Sequence, residues 1–428
     1  MKQLIQPVKG TRDFYPEEMK YRRWLFSIIE KVSCSFGYQE YDGPFLEKID
    51  LYASKSGEEL VKEQAFVFPD RGGELLTLRP ELTPTLARMV AQKQKELVFP
   101  LRWWSIGPFW RYERPQKGRT REFFQWNIDL IGANSPEADA ELVAIAATFL
   151  KTVGLRPDQV GILVNNRRLM DQELQNLGIV NDQKQIVFRL IDRRDKMHPD
   201  EWSAYAQENG ILPEQLEGIK NLLADKALWK KSEELIRFFA ALHSLEVEEY
   251  VHYDPEIIRG LDYYTGTVFE GRDFDGGRAI LGGGRYDNLV GAVGGDPLPG
   301  IGFAMGDVMI SVVLEKYHLV PDLSSNQASL LVTVFDENFL QDSFSISSQL
   351  RRSGLQVICY PEPVKLSRQL KYADRMGFRF VIIYGPDERI TQSVVVKDLV
   401  KRSQVKCQVS ELAALICQEI ADQPGGEK

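Results

Sequence analysis

Two runs of the chain, residues 101–112 and 121–132, restrict its fold most. In the second, Phe124, Trp126, Ile128 and Leu130 alternate with Arg121, Phe123, Gln125, Asn127 and Asp129. A period of two belongs to a strand with one face on a core and the other polar. The runs are joined by Glu113-Arg114-Pro115-Gln116-Lys117-Gly118-Arg119-Thr120, a polar loop too long for a tight turn. Arg111, Arg114, Lys117, Arg119 and Arg121 set five cations in eleven residues against the single acid Glu113, although the 428-residue chain has a net charge of -8. Taken alone, such a loop is either a solvated hairpin or a grip for a polyphosphate or nucleic-acid end, with arginine supplying bidentate contacts. The following strand tips the balance, because a polar face of mixed charge opposite a Phe-Trp-Ile-Leu face suits a ligand cleft better than open solvent.

The rest of the pattern is mixed helix and strand. Pro16 with Glu17 and Glu18 opens a helix in which Trp24, Leu25, Ile28, Ile29 and Val32 recur at three- and four-residue spacing before Gly37. Residues 65–68 and 74–78 flank Asp70-Arg71-Gly72-Gly73 and predict a β-hairpin. Thr83-Pro84 predicts a helix start, with Thr83 as cap. From about 166 to 246 the sequence turns charged and helical, which predicts an inserted helical module. Strand and glycine patterns return at 251–306, and an apolar helix from Val308 to Tyr317 ends at a Pro/Ser/Asn-rich linker near 319–328. Beyond it, β-branched runs at 330–335, 357–360, 380–384 and 394–397 alternate with helix-like segments at 338–353 and 364–376, a separate α/β domain. The expected division is 1–322 and 329–424.

Composition excludes more than it assigns. With 43% hydrophobic and 27% charged residues the chain is an ordinary globular one, not disordered, collagen-like or coiled-coil. No run approaches the ~18 apolar residues of a membrane span, and Met1 to Pro7 show no secretory or organellar leader pattern, so a cytoplasmic protein is expected. Cys34, Cys359, Cys407 and Cys417 form no C-x-x-C and read as reduced, buried thiols. The four histidines lack metal-ligand spacing, so no structural metal is expected. Net acidity disfavours coating nucleic acid by bulk charge but leaves room for a local basic groove. No G-x-x-x-x-G-K-[ST] occurs, and the Gly300 to Gly306 stretch has the wrong spacing for G-x-G-x-x-G, which disfavours P-loop enzymes and dinucleotide oxidoreductases.

Two other segments carry candidate chemistry. Arg79-Pro80-Glu81-Leu82-Thr83 lies where a strand ends and a helix begins, so Glu81 and Thr83 are placed to meet a ligand amine, with a simple helix cap as the alternative for Thr83. In Arg259-Gly260-Leu261-Asp262-Tyr263-Tyr264 a lone arginine precedes two tyrosines, which out of context are more often core or interface than ligand contacts.

Taken together, the chain resembles the histidyl-tRNA synthetases, a class II aminoacyl-tRNA synthetase family. The resemblance spans nearly the whole chain: Lys9-Gly10-Thr11-Arg12-Asp13, Leu78-Arg79-Pro80-Glu81, the motif 2 stretch Arg111 to Arg119, Arg259 to Tyr264, and Gly282-Gly283-Gly284-Arg285-Tyr286-Asp287 stand in the family's order. It implies an α+β catalytic core on an antiparallel sheet, a helical insertion and a C-terminal α/β anticodon-binding domain. It also implies ATP-dependent activation of L-histidine, with Mg²⁺ and no prosthetic group, and transfer to tRNA-His by a homodimer with Pro44 at its interface. Glu81 and Thr83 would hold the histidine α-amino group with Leu82 beside them, Gln125 and Asp129 would contact the substrate with Asp129 accepting from the imidazole, and Tyr263 and Tyr264 would wall the pocket. Arg111 would grip the α-phosphate and the carboxylate, Glu113 would read the adenine amine and Phe123 would lie against the adenine ring. Arg119 and Arg121 would meet the outer phosphates or the tRNA end, and Arg259 would stand over the reacting phosphorus.

The chain departs from the pattern in motif 3, where Gly302-Phe303-Ala304-Met305-Gly306 is followed by Asp307-Val308-Met309 and the methionine takes the place of an ATP-stacking arginine. Tyr112 and Leu82 also replace residues common in the bacterial form. In the last domain Lys365, Arg368, Lys371 and Arg375 recur at helical spacing, as for a face on anticodon-stem phosphates, although a solvated basic face gives the same spacing. A catalytically silent paralogue, either a histidine-sensing regulatory subunit of ATP phosphoribosyltransferase or a sensor of uncharged tRNA, is the alternative. Retention of the basic loop and of the last domain weighs against the regulatory subunit.

Overall fold

A computed structural model describes residues 4–53, 63–116, 118–180, 182–194, 197–258, 264–323 and 329–421. The chain divides into two compact units, 1–321 and 322–428.

The first unit is built on an eight-stranded sheet in the order Gln39–Glu40, Leu101–Trp110, Glu122–Ile131, Gly300–Gly306, Leu281–Tyr286, Thr267–Asp273, Val160–Asn166 and Val251–Tyr253. The six inner strands are antiparallel, and each edge strand pairs parallel with its neighbour. The expected antiparallel sheet is therefore mixed at its two margins. Glu122–Ile131 behaves as its alternation dictates: Trp126, Ile128 and Leu130 are buried on one face, where Trp126 meets Phe303 edge-on at 4.9 Å and Phe149 at 5.5 Å. Aromatic pairs of this kind add about 0.5–1.5 kcal/mol beyond the area they bury. Phe149 comes from the helix Pro136–Thr152, capped by the Ser135 side chain, which accepts from the Ala138 amide at 3.2 Å. Alanine at 138, 140, 144, 146 and 147 keeps that helix slim enough to be buried along most of its length.

The helix predicted from Pro16 runs over Pro16–Ser35 and buries Leu25, Ile29 and Val32. The predicted hairpin forms from Phe66–Pro69 and Leu75–Leu78. The Asp70 carboxylate closes its turn by accepting from the Gly72 and Glu74 amides, both at 2.8 Å. Leu46–Lys48 adds a third strand beside Leu75–Leu78.

The helical segment leaves the sheet at Asn166, whose side chain caps the helix Arg167–Asn176. Helices Asp182–Asp192, Pro199–Glu208, Pro213–Ala224 and Glu233–Ser244 follow, and the chain returns as Val251–Tyr253 beside the strand it left. Val187, Leu190, Trp202, Ile219 and Phe238 belong to the same apolar cluster as the sheet, so the module shares the main core.

The second unit is a five-stranded sheet, Gln356–Cys359, Ser329–Val332, Phe380–Ile383, Ser393–Asp398 and Ser403–Gln408, parallel in its first three strands and antiparallel in its last two. Ser403–Gln408 was not legible in the sequence because it is an exposed edge strand with only Val405 and Cys407 apolar. Helix Leu412–Ala421 follows it.

Two expectations are corrected. Thr83 is not a cap, since the helix Thr83–Lys93 has Leu82 at its N-cap with no side-chain bond, and Thr83 is its first residue. The cysteines are free as expected, but only Cys359 is buried, whereas Cys34 and Cys417 are exposed. Both exposed thiols sit on helices whose apolar stripes, and not their cysteines, face the core.

Candidate active site

The polar face of Glu122–Ile131 lines a small cavity of about 120 Å³, walled by Glu81, Thr83, Arg111, Gln125, Asn127, Asp129, Tyr264, Gly282, Tyr286, Gly302, Phe303 and Ala304. This is well below the ~300–1,000 Å³ of drug-sized ligand sites, so it suits a small polar molecule or one end of a larger one.

Asp129 is a buried residue of this lining. The Tyr286 hydroxyl donates to its Oδ1 at 2.6 Å, while burial pushes the carboxyl up to about 7 against that bond. Gly302 faces Asp129 across the strand pair, and a Cβ at Gly302 would stand 2.0 Å from that oxygen. The carboxyl therefore occupies the space a side chain would take, which explains glycine at this place in the strand. Glu81, also in the lining, is buried, and its carbonyl accepts from the Tyr52 hydroxyl at 3.3 Å.

The cationic side is held from the backbone. Arg111 Nε donates to the Pro80 carbonyl at 3.0 Å, and its guanidinium carbon stands 5.5 Å from the centre of the Phe123 ring, within cation–π range. Phe123 in turn stacks on Phe109 at 6.0 Å. Glu113 and Arg119 pair at 3.0 Å, and Arg121 lies 3.9 Å over the Tyr112 ring while its Nε donates to the Glu113 carbonyl at 3.3 Å. The loop tip is pinned by mutual backbone bonds between Gln116 and Arg119.

The N-terminal segment braces this arrangement. The Arg121 amide donates to the Gly10 carbonyl at 2.8 Å. Arg12 pairs at 2.8 Å with Asp307, which also accepts from the Phe124 amide at 2.9 Å. Burial raises the Asp307 carboxyl, and Arg12 opposes that rise.

Two buried carboxyls, Glu81 and Asp129, with the Thr83 and Tyr286 hydroxyls, the Gln125 amide and Arg111 around one small cavity, can hold a zwitterion with a polar side chain against a phosphate. The model of the family described as "Histidyl-tRNA synthetase" matches residues 10–308, and that of the "Anticodon binding domain" matches residues 310–419. The chain belongs to the histidyl-tRNA synthetase family. It is 35% identical over 442 residues to the histidine–tRNA ligase of Leptospira biflexa, covering 96% of this chain and 97% of that one. It is 37% identical over 419 residues to the chloroplastic/mitochondrial histidine–tRNA ligase of Arabidopsis thaliana, covering 95% and 86%. A crystal structure of histidyl-tRNA synthetase from Nostoc sp. PCC 7120 is similar with a TM-score of 0.80 at 26% identity, over 98% of this chain and all of that one.

Of the residues assigned by resemblance to this family, the structure gathers Glu81, Thr83, Gln125, Asp129, Tyr264 and Arg111 in one cavity. Leu82 is not in its lining: it is buried at the helix cap. Arg259 and Tyr263 lie outside the described residues. Glu113, Arg119, Arg121 and Phe123 cluster next to the cavity around the motif 2 loop, as given above. Sequence reasoning missed Asn127, Tyr286 and Phe303 as lining residues. Asn127 had a signal, since it shares the polar face with Gln125 and Asp129. Phe303 and Tyr286 had none, because their place at the cavity depends on cross-strand register. In the second unit Lys365, Arg368 and Lys371 line a surface depression with Val364 and Ser367, whereas Arg375 is exposed outside it.

Proposed function

We infer that the protein activates L-histidine with ATP to histidyl-adenylate and transfers the histidyl group to the 3′ end of tRNA-His. The observation that carries this is the small cavity lined by Glu81, Thr83, Gln125, Asp129 and Arg111 together. Glu81 and Thr83 hold the α-amino group. Asp129 accepts from the imidazole N–H, and Tyr286 fixes the carboxyl's orientation by donating to it. A histidine so held presents its carboxylate on the Arg111 side.

A carboxylate oxygen attacks the α-phosphorus, the bond to the bridging oxygen breaks and pyrophosphate leaves. Negative charge builds on the phosphate oxygens, so preorganised cations are the main device the step needs. Arg111 supplies one and, by its place in the family's motif, Arg259 another. Phe123 lies against the adenine, Glu113 reads its amine, and Arg119 and Arg121 meet the outer phosphates. ATP arrives as its Mg²⁺ complex, and Mg²⁺ takes most of its ligands from phosphates and water. Among the described residues no group of three acids, histidines or cysteines would hold a metal alone. In the second step a terminal ribose hydroxyl of tRNA attacks the carbonyl carbon and AMP leaves.

The deciding experiment is histidine-dependent ATP–pyrophosphate exchange, with the other amino acids as controls and Arg259→Ala as the variant. Exchange with histidine alone, cut by about 100-fold or more in the variant, is expected for loss of a transition-state cation. A folded protein that binds histidine and exchanges nothing belongs to the silent-paralogue class instead.

For tRNA, Lys365, Arg368 and Lys371 form the contact face in the second unit. Replacing all three with alanine is expected to raise KM for tRNA and flatten the salt dependence of log K by about 0.7–0.9 for each phosphate no longer neutralised. Pyrophosphate exchange stays as in the wild type, and an unchanged salt slope would show that the face is merely solvated. We place the protein in the cytoplasm as a homodimer: its free thiols, two of them exposed, suit a reducing compartment, and Pro44 matches the family's interface proline.

A further inference from the structure

Residue 309, where the family's stacking arginine is replaced by methionine, sits at a crowded end of the main sheet. Leu281 pairs with Met305, Gly306 pairs with Gln125, and the amide of Phe124, the residue after Phe123, donates to Asp307 at 2.9 Å, so the helix Asp307–Lys316 starts where these strands end. Gly118, at the tip of the motif 2 loop, meets both Met309 and Arg278. A Cβ built on Gly118 would lie 2.5 Å from Met309 Sδ and 3.8 Å from Arg278 Cδ, and its φ of +80° suits glycine alone.

Met309 thus packs its thioether under the loop tip, filling space but offering no charge and no flat donor surface. Arg278 comes to the same tip from the turn between Thr267–Asp273 and Leu281–Tyr286. Its side chain is half-buried, and its Nη1 is buried with no hydrogen-bond partner among the described residues. The neighbouring cations are engaged: Arg119 with Glu113, Arg111 with the Pro80 carbonyl, Arg121 with the Glu113 carbonyl. A buried charged donor left unsatisfied is costly in a resting fold, and a ligand that accepts from it removes that cost.

We propose that Arg278 supplies the guanidinium plane that closes on the adenine of ATP opposite Phe123, the role that Met309 cannot fill. The inference rests on the adenylating reading above. Arginine suits it because its plane stacks on an aromatic base while its edge still donates hydrogen bonds, which a lysine at the same place cannot do. The cation is thereby moved from the motif 3 helix to the preceding hairpin turn, with the methionine as apolar packing beneath the loop.

The test uses the full chain as wild type, Arg278→Ala, Arg278→Lys and the double variant Arg278→Ala/Met309→Arg. Each is measured by pyrophosphate exchange, by equilibrium dialysis against ATP and by thermal melting. Arg278→Ala is expected to raise both KM and Kd for ATP about tenfold, with KM for histidine held within about twofold. Arg278→Lys behaves like the alanine variant, and the arginine at 309 in the double variant restores ATP binding. An unchanged Kd for ATP in Arg278→Ala overturns the proposal. So does a parallel rise in KM for histidine with a lowered melting temperature, which marks a structural role, and so does full ATP affinity in Arg278→Lys, which rules out stacking. A wild type that binds ATP by dialysis but exchanges no pyrophosphate sinks the adenylating reading instead, while dialysis of the variants still reads Arg278.

Discussion

Asp129→Asn lowers kcat/KM for histidine on the order of 100-fold in pyrophosphate exchange, the loss of a charge-assisted hydrogen bond worth ~1.5–3 kcal/mol, and leaves KM for ATP in place. Asparagine keeps the shape and can still accept from Tyr286, so only the charge is removed. The wild-type carboxyl is pushed up to about 7 by burial, so it loses its charge as pH falls through neutrality. KM for histidine in the wild type therefore rises more steeply below about pH 7 than in the variant, where only the substrate's own imidazole titrates. Stability moves the other way. The folded carboxyl binds its proton more tightly than the unfolded chain does, so between about pH 4 and 7 rising pH costs the wild type stability, up to ~4 kcal/mol. Asp129→Asn escapes this cost. Unfolding measured across pH shows the variant gaining on the wild type as pH rises from about 4 to 8. A variant with histidine KM within about threefold of wild type, or a stability difference flat in pH, would falsify the assignment of Asp129 as the buried acceptor.

Asp139→Ala has the largest expected effect on folding. Arg285 and Asp139 are almost fully buried, with side-chain exposures of 2% and 5%. Arg285 Nε donates to Asp139 at 2.9 Å, Nη2 donates to it as well, and Nη1 reaches the Ala133 carbonyl at 3.2 Å. Removing one partner strands a charge in the interior, at a cost of about 3–5 kcal/mol. Substituting both, as Arg285→Met/Asp139→Leu, recovers most of the loss, because matched apolar side chains often replace a buried pair at little net cost. Melting of the two singles and the double forms the test. Additive losses across the cycle, or a single variant that melts with the wild type, would show that the pair is not the anchor. Tyr286 follows Arg285 on the same strand, so slackening here also loosens the hydroxyl that orients Asp129, and KM for histidine rises in Asp139→Ala.

Local patterns were legible because their physics is local. The amphipathic spacing of Leu25, Ile29 and Val32 produced the helix Pro16–Ser35, and the Asp70 to Gly73 turn produced the hairpin. The alternation of residues 121–130 separated Trp126 and Ile128 from Gln125 and Asp129, which is the division between core and cavity. Thr83 failed as a cap because the turn before it is already helical at Leu82, at φ -102° and ψ -28°, a choice made by packing rather than by the capping side chain. The strand Ser403–Gln408 failed because an exposed edge has no apolar face to betray it.

The amino-acid sequence by itself determined the two-part organisation, the faces of the main strands and the family, since motif order and periodicity are properties of the chain taken in line. Only the tertiary structure decided that Asp129, Gly302 and Tyr286 form one unit and that Arg278 meets Met309 at the loop tip. Asp129 and Tyr286 stand 157 residues apart in the chain. Such meetings depend on cross-strand register, where a shift of one residue turns every side chain to the opposite face, and that register is set by pairing across the sheet rather than by any local pattern.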